Sequence, residues 1–166
     1  MNIEIVKAGI PEAQVTLREV TEETVGEICE LSDTLTEPKK SMVAPNAVSI
    51  AQAYFCEYAW FQAIYADETP VGFIMLYDNP EKPEYFLWRM MIAEPHHGKG
   101  FGRRAVELLI EYVKTRPEAK ELFVSSVPGE GSPEGFYRRL GFEPTGQIDE
   151  REVVMKLVLD NPAESV

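Results

Sequence analysis

The sequence predicts a mixed α/β (α+β) fold: a mostly antiparallel central sheet of six to seven strands with helices on both faces. Three observations carry that expectation. Three strand-like runs, Trp60 to Tyr65, Val71 to Tyr77 and Tyr85 to Ile92, follow one another across short polar connections, which favours antiparallel pairing. The strand-helix-strand unit from Tyr85 to Val127 then calls for a right-handed parallel crossover. A short helix and two more strand-like runs, Phe142 to Ile148 and Glu152 to Leu159, close the chain.

Each element has a local cause. Val15 to Val20 reads as the first strand. Thr21-Glu22-Glu23-Thr24 opens a helix, with an imperfect capping box between Thr21 and Thr24 and early glutamates that suit the helix dipole. Val25, Ile28, Cys29 and Ser32 share its inner face. After the polar break Glu37-Pro38-Lys39-Lys40, Asn46 caps a second helix in which Ile50, Ala51, Tyr54, Phe55 and Tyr58 recur at helical spacing. From Gly100 to Lys114 the period is again helical, with Ala105, Leu108, Leu109, Tyr112 and Val113 on one stripe and Pro117 beyond the end. Leu122 to Val127 is a compact apolar strand. Ser132-Pro133 joins a cap to a proline at the first helical position, starting a helix through Leu140 that stops at Gly141.

Composition bounds what such a fold can do. With 166 residues, 45% of them hydrophobic, the chain can bury one substantial core, so residues 1–166 are expected to form a single domain with its core over about 15–159 and peripheral ends at 1–14 and 160–166. No run of about 20 apolar residues exists to span a bilayer, and Met1 to Gln14 lacks the features of an export signal, so the chain reads as soluble and cytoplasmic. Cys29 and Cys56 have no metal-ligand spacing and read as buried thiols. A formal charge of -12 argues against a nucleic-acid partner, because neutralising phosphates needs basic stripes. The same acidity suits a cationic partner.

Against that background "PHHGKGFGRR", residues 95–104, gathers three glycines and three cations where a strand gives way to a helix. Unpaired amides of a helix's first turn point into such a loop, glycines admit close approach and positive φ, and Lys99, Arg103 and Arg104 add charge, which together suit a pyrophosphate. Walker A is excluded because Lys99 is followed by Gly100, and the dinucleotide fingerprint because the spacing is G-x-G-x-G. The alternative is a flexible turn with solvated cations. His96 and His97, adjacent and without a third ligand, make a poor metal pair, and no metal is expected. Arg89, inside an apolar run, calls for a carboxylate or backbone partner.

"MMIAEPHHGKGFGRRAVELLIEYV" resembles the acetyl-CoA segment of the GCN5-related N-acetyltransferases (GNAT), with His97-x-x-Gly100-x-Gly102 in place of Gln/Arg-x-x-Gly-x-Gly/Ala. "GSPEGFYRRLGF" is similar to that family's helix ending in Tyr-x-x-x-Gly-Phe, here Tyr137 to Gly141-Phe142. "NAVSIAQAYF", "FLWRMMI" and "SPEGFYRRLGFEPTG" look like the branch of bacterial diamine, spermidine or spermine acetyltransferases. Two positions depart from the pattern: His97 replaces Gln/Arg, and Glu130 and Pro133 replace the Asn and small residue often found before the tyrosine.

The resemblance implies an acetyl-CoA-dependent N-acetyltransferase acting on a small-molecule amine, most simply a polyamine. It places the donor against Met90, Met91, Ile92, His97, Gly98, Lys99, Gly100, Phe101, Gly102, Arg103, Pro133 and Tyr137. The backbone near Met91 and Ile92 would pair with the pantetheine arm, and the amides of Gly98 to Arg103 would grip the pyrophosphate. Tyr137 is the expected general acid, since a phenol with a reference pKa of about 10 is protonated at neutral pH. Glu84 and Glu81 are candidates for the base, which stays unassigned because the strand before the loop reads Phe86-Leu87-Trp88-Arg89. Tyr54, Tyr58, Glu84 and Trp88 are expected along the acceptor. Another amine acceptor (a protein N-terminus, lysine or aminoglycoside) and a non-catalytic module that binds a CoA ester remain open, and a homodimer is compatible with the family.

Overall fold

Apolar runs broken by short polar turns produce seven strands in the computed structural model, which describes residues 12–160. These are β1 (Val15–Arg18), β2 (Ala59–Ala66), β3 (Thr69–Asn79), β4 (Glu84–Ile92), β5 (Glu121–Ser126), β6 (Glu143–Asp149) and β7 (Glu152–Val158). The helices are α1 (Val25–Leu31), α2 (Asn46–Tyr54), α3 (Phe101–Lys114) and α4 (Glu134–Arg139), with short 3-10 turns at Ser32–Thr34, Lys39–Met42 and Glu94–His96. One sheet runs β1-β2-β3-β4-β5-β7-β6, antiparallel throughout except between β4 and β5. The mixed, mostly antiparallel sheet and the element order are those read from the sequence.

Helices cover both faces. On one side α3 lays Ala105, Val106, Leu109 and Val113 onto Ile74, Leu76, Leu87, Leu122 and Val124, forming the larger apolar cluster, which also takes in Tyr137 and Phe142 of the α4 region. On the other side Ile28 of α1 and Ile50 and Ala53 of α2 pack with Ala63, Phe73, Met75 and Met91. Asp78, 9% exposed, anchors the far end of α3: its carboxylate accepts from Arg116 Nε at 2.9 Å and from the Tyr112 hydroxyl at 3.1 Å. Tyr112 in turn stacks on Trp60 with ring centroids 4.4 Å apart.

Three local expectations are corrected. Asn46 is the first residue of α2 rather than its cap, a place taken by Pro45; its buried side chain donates instead to the Ile28 carbonyl at 2.8 Å, and its backbone N–H to Ser32 Oγ at 3.0 Å. Tyr54 and Phe55 face outward, each 85% exposed, because α2 ends at Tyr54 and its inner face is the 46, 49, 50, 53 row, one step round from the stripe read from sequence. Cys29 and Cys56 are free and only partly covered, not buried. The Thr21–Thr24 pair does form half of a capping box, with the Thr21 N–H donating to Thr24 Oγ1 at 2.9 Å.

Two irregularities of β4 shape everything near the glycine loop. Met75 pairs with Arg89 but Leu76 with Leu87, so Trp88 is an extra residue, a bulge. Strand side chains alternate, and one inserted residue exchanges their faces. Tyr85 and Leu87 therefore join the α3 side before the bulge, and Met90 and Ile92 join it after, while Trp88 and Met91 turn to the α1–α2 side. The second irregularity is that β4 and β5 pair only at Phe86–Phe123 and Leu87–Val124. Beyond that point they separate.

Candidate active site

The parting of β4 from β5 opens a cleft of about 1270 Å³. One wall is the bulged half of β4, Trp88 to Ile92; the other is Val124 to Val127 with Ser132, Pro133, Phe136 and Tyr137. The loop and first turn of α3 (His96 to Gly98, and Gly100 to Arg103) close one end, and Asp149, Glu150 and Glu152 of the β6–β7 hairpin also line it. The chain leading into the Lys39–Met42 turn meets the loop before α4: a Cβ added to Gly131 would lie 2.6 Å from Pro38 Cγ, so the two loops touch.

Strand alternation decides which main-chain groups face the gap. The Ala93 N–H donates to the Val71 carbonyl at 2.8 Å, and a Cβ on Gly72 would collide with the Met91 carbonyl oxygen, so residues 91 and 93 bond toward β3. Met90 and Ile92 consequently direct their N–H and C=O groups at the opening. Of the expected pair Met91 and Ile92, the gap-facing backbone thus belongs to Ile92 and its neighbour Met90.

At the loop end, Gly100 is left-handed at φ 81° and immediately precedes α3. The first helical bond recorded there runs from the Arg104 N–H to the Gly100 carbonyl, which leaves the amides of Phe101, Gly102 and Arg103 without intrahelical acceptors. Gly102 packs the helix onto β4, since a Cβ there would sit 3.0 Å from Met90 Cε. His97 lines the cleft but uses its ring inside the protein. A carbonyl only accepts, so Nε2, 2.5 Å from the Ile92 oxygen, carries the proton, while Nδ1 lies 3.3 Å from both Lys39 Nζ and Glu94 Oε2. The ring bolts the loop to β4.

The charge of the loop is redistributed from what the sequence suggested. Arg103 lines the cleft while donating to Glu107 at 3.0 Å; Lys99 is exposed and outside it; Arg104 lines a different hollow beside β1 and pairs with Glu107 and Glu111. Lys39 and Arg139 join Arg103 along the cleft. Neither was legible from spacing, because they come from distant loops and helices, although α4's cationic last turn, Arg138-Arg139, was visible in the sequence.

Tyr137 is buried, lines the cleft, and its hydroxyl makes no hydrogen bond among the described residues. Burial pushes its phenol above the ordinary range, so the proton is firmly held at neutral pH. Ser126, on the same wall, is 4% exposed and its hydroxyl has no partner among the described residues. Ser126 was missed in the sequence, where nothing distinguishes it from Ser125.

Of the expected acceptor residues, Trp88 lines the cleft and three do not. Tyr54 is solvent-exposed at the end of α2; Tyr58 lies before β2 and donates to Glu81 at 2.6 Å, a bond that holds its phenol proton above the usual range; Glu84 is exposed at the far end of β4. Glu81, engaged by Tyr58, is likewise outside it. Arg89 meets its requirement for partners with the Trp88 carbonyl and Gln52 Oε1, both at 3.2 Å; its proton is held less firmly because the group is buried, an effect that Glu152 opposes.

A split parallel pair, a glycine-rich helix start at the split and a buried tyrosine beside it define an acyltransferase class. Residues 27–142 match the family described as Acetyltransferase (GNAT) family, and the chain belongs to it. It is an N-acetyltransferase of a family whose donor is acetyl-CoA. Over 141 residues, 81% of this chain and 91% of the relative, it is 25% identical to the spermine/spermidine N(1)-acetyltransferase of Bacillus subtilis (strain 168). It is 35% identical over 86 residues, 49% of this chain and 43% of the relative, to the L-2,4-diaminobutyric acid acetyltransferase of Halomonas elongata. A domain from Methanocaldococcus jannaschii DSM 2661 superposes with a TM-score of 0.72 at 15% identity, covering 89% of this chain and all of that one.

Proposed function

We propose that this chain transfers an acetyl group from acetyl-CoA to a primary amine of a small polyamine such as spermidine or spermine, by direct attack while both are bound. The observation that carries the reading is the coincidence, in one cleft, of an amide-rich helix start, gap-facing strand main chain and a proton-bearing tyrosine. The residues fit a CoA thioester: the Gly100–Arg103 turn presents free amides, and Gly100 keeps the approach clear of a side chain. Acetyl-CoA brings the acetyl group already activated as a thioester.

The chain's own groups supply the rest. Amides from Gly98 to Arg103 hold the diphosphate, with Lys39, Arg103 and Arg139 adding charge to those bonds. Met90 and Ile92 offer main-chain groups to an extended arm, as a sheet edge does to an added strand. Roofing by residues 38–42 against 129–133 limits water around the site and keeps the arm in line with the amine. Tyr137, its proton retained by burial, donates to the sulfur as the C–S bond breaks and the C–N bond forms, while the proton shed by the attacking nitrogen passes to solvent, from which the phenol is restored.

The acceptor assignment is supported by the Bacillus relative's name and by the acidity of the chain. A diamino acid is the second reading, favoured by the higher local identity to the Halomonas relative. The test is thiol release from acetyl-CoA with a panel of amines. Turnover of spermidine or spermine is expected; turnover confined to diaminobutyrate, a peptide N-terminus, lysine or an aminoglycoside would replace the polyamine with that acceptor.

A further inference from the structure

Arginines that are withdrawn from solvent in this fold are paired with carboxylates, with one exception. Among the described residues Arg18 meets Glu68 at 2.9 Å, Arg104 meets Glu107 and Glu111, and Arg116 meets Asp78 at 2.9 Å. Arg139 and Arg151 have no such partner, but they are exposed and water solvates them. Arg89 belongs to neither group: it is half-buried, lines the cleft, and has no carboxylate within ion-pair distance among the described residues. Its hydrogen bonds go to neutral acceptors, the Trp88 carbonyl and Gln52 Oε1, both at 3.2 Å, the long end of the range.

A guanidinium holds its donors on Nε, Nη1 and Nη2 in one plane, a fork that matches a carboxylate. In Arg89 one hydrogen of Nη1 and one of Nη2 are used, so the Nε–H and the other terminal hydrogens keep no acceptor among the described residues. The Trp88 ring, 5.5 Å from the guanidinium carbon, steadies its face without neutralising it. Burial weakens the group's hold on its proton, and Glu152 opposes that from beyond ion-pair distance, its carboxylate accepting the Ser125 hydroxyl at 2.7 Å instead. Gln52 belongs to α2, so the guanidinium sits on the sheet face opposite α3, apart from the Gly100–Arg103 turn that suits the diphosphate. A partly desolvated charge without a counter-ion is unfavourable, and a bidentate anion relieves it.

We infer that Arg89 is an anion site on the acceptor side of the cleft, binding the carboxylate of an amine that also carries one, so that an amino acid with a side-chain amine is a second class of acceptor beside the polyamines. The inference rests on the acetyltransferase reading of the cleft and deepens it, naming the group that selects a diamino acid. The side-chain amine attacks the thioester along the gap-facing main chain of Met90 and Ile92, while the carboxylate stays on the fork of Arg89, the residue just before that stretch. The bonds exchanged are those of amine acetylation, C–N formed for C–S broken, with one proton leaving the nitrogen for solvent and one reaching the sulfur. A polyamine has no anion to fill the fork and brings a further ammonium near it.

The test compares L-lysine with 1,5-diaminopentane, which share the spacer and both amines and differ by one carboxylate. Thiol release is followed with each in the full chain and in Arg89→Gln, which keeps hydrogen-bonding capacity and removes the charge. Expected is turnover of L-lysine by the wild-type chain and a loss in the variant of at least about tenfold in kcat/KM, carried by KM. The diamine moves the other way, gaining about twofold as a neighbouring cation disappears. CoA affinity by calorimetry stays unchanged and certifies the fold. Turnover of the diamine with none of L-lysine, equal changes for both acceptors in the variant, or no change for either overturns the anion site and leaves the acetyltransferase reading intact. A wild-type chain that releases thiol with neither acceptor nor any other amine sinks that reading instead. Calorimetry of L-lysine on the CoA-loaded chain then decides Arg89 separately: binding that Arg89→Gln loses supports the site, and binding that it retains in full, or none to wild type, overturns it. Should Arg89→Gln fail to fold, Arg89→Lys keeps the charge and loses the fork; it is expected to weaken L-lysine alone, by about threefold, and an unaltered preference overturns the assignment.

Discussion

Below Trp88, β4 and β5 are an ordinary parallel pair, Phe86 beside Phe123 and Leu87 beside Val124, sealed by α3 on one face. Above it the same strands diverge, and their main chain and side chains face a cleft instead of each other. In the zipped half, polar groups near the sheet are paired, as Asp78 is with Arg116 and Tyr112. The split half holds what that half would not tolerate: a Ser126 hydroxyl and a buried Tyr137 that have no hydrogen-bond partner among the described residues, and facing carboxylates at Asp149 and Glu152. One half of the contact holds the sheet together, and the other leaves bonding capacity for ligands.

The contrast is broken most sharply at Tyr137. Tyr137→Phe is expected to lower kcat by about a hundredfold or more while leaving CoA affinity and thermal stability nearly unchanged, since only the donated proton is removed. A rate equal to wild type in the thiol-release assay would strip Tyr137 of its role. In the zipped half the reverse holds. Leu122→Ala, at a fully buried position, should destabilise the fold by about 2–5 kcal/mol in urea unfolding and leave the KM for acetyl-CoA unaffected below the transition.

Gly100→Val comes next. A β-branched residue at φ 81° is strained by about 1–2 kcal/mol, and its side chain would stand in the anion's approach. The CoA dissociation constant should rise at least about tenfold in calorimetry. Ser126→Ala sharpens the comparison from the other side: removing an unpaired buried hydroxyl should stabilise the fold by about 1 kcal/mol while lowering turnover, whereas a destabilised variant would mean the hydroxyl is already paired.

The smallest effect is a titration in the loop. Burial, and then the charges of Lys99 and His97, hold the His96 imidazolium below its ordinary 6.5. The unfolded chain therefore takes up this proton first, and the linked stability is complete above about pH 6.5 and declines as pH falls toward the lower folded value. Melting temperatures at about pH 7.5 and about pH 5.5 should show the decline, and His96→Gln should flatten part of it.

Much of this molecule was legible before any fold was seen, for reasons that differ between regions. β2, β3, β4 and α3 announce themselves because alternation and helical period repeat over many residues, and the Gly100 turn because left-handed backbone before a helix favours glycine. In α2 two overlapping apolar rows fit the nine residues, and only packing against Ile28 and Ser32 chooses between them. Tyr54, Tyr58 and Glu84 lie outside the cleft, which the sequence does not announce, since proximity in sequence says little about which end of a strand opens.

By itself, then, the order of residues determined the strands, the long helix, the glycine turn and the tyrosine that follows, all of them consequences of interactions spanning a few positions. Tertiary structure decided the face that Met90 and Ile92 present, through one extra residue at Trp88, and the convergence of Lys39, Arg103 and Arg139 along one cleft. It also set Asp149 against Glu152 and left Ser126 unpaired. Those features depend on which distant segments meet where two strands part, and no short-range preference encodes that meeting.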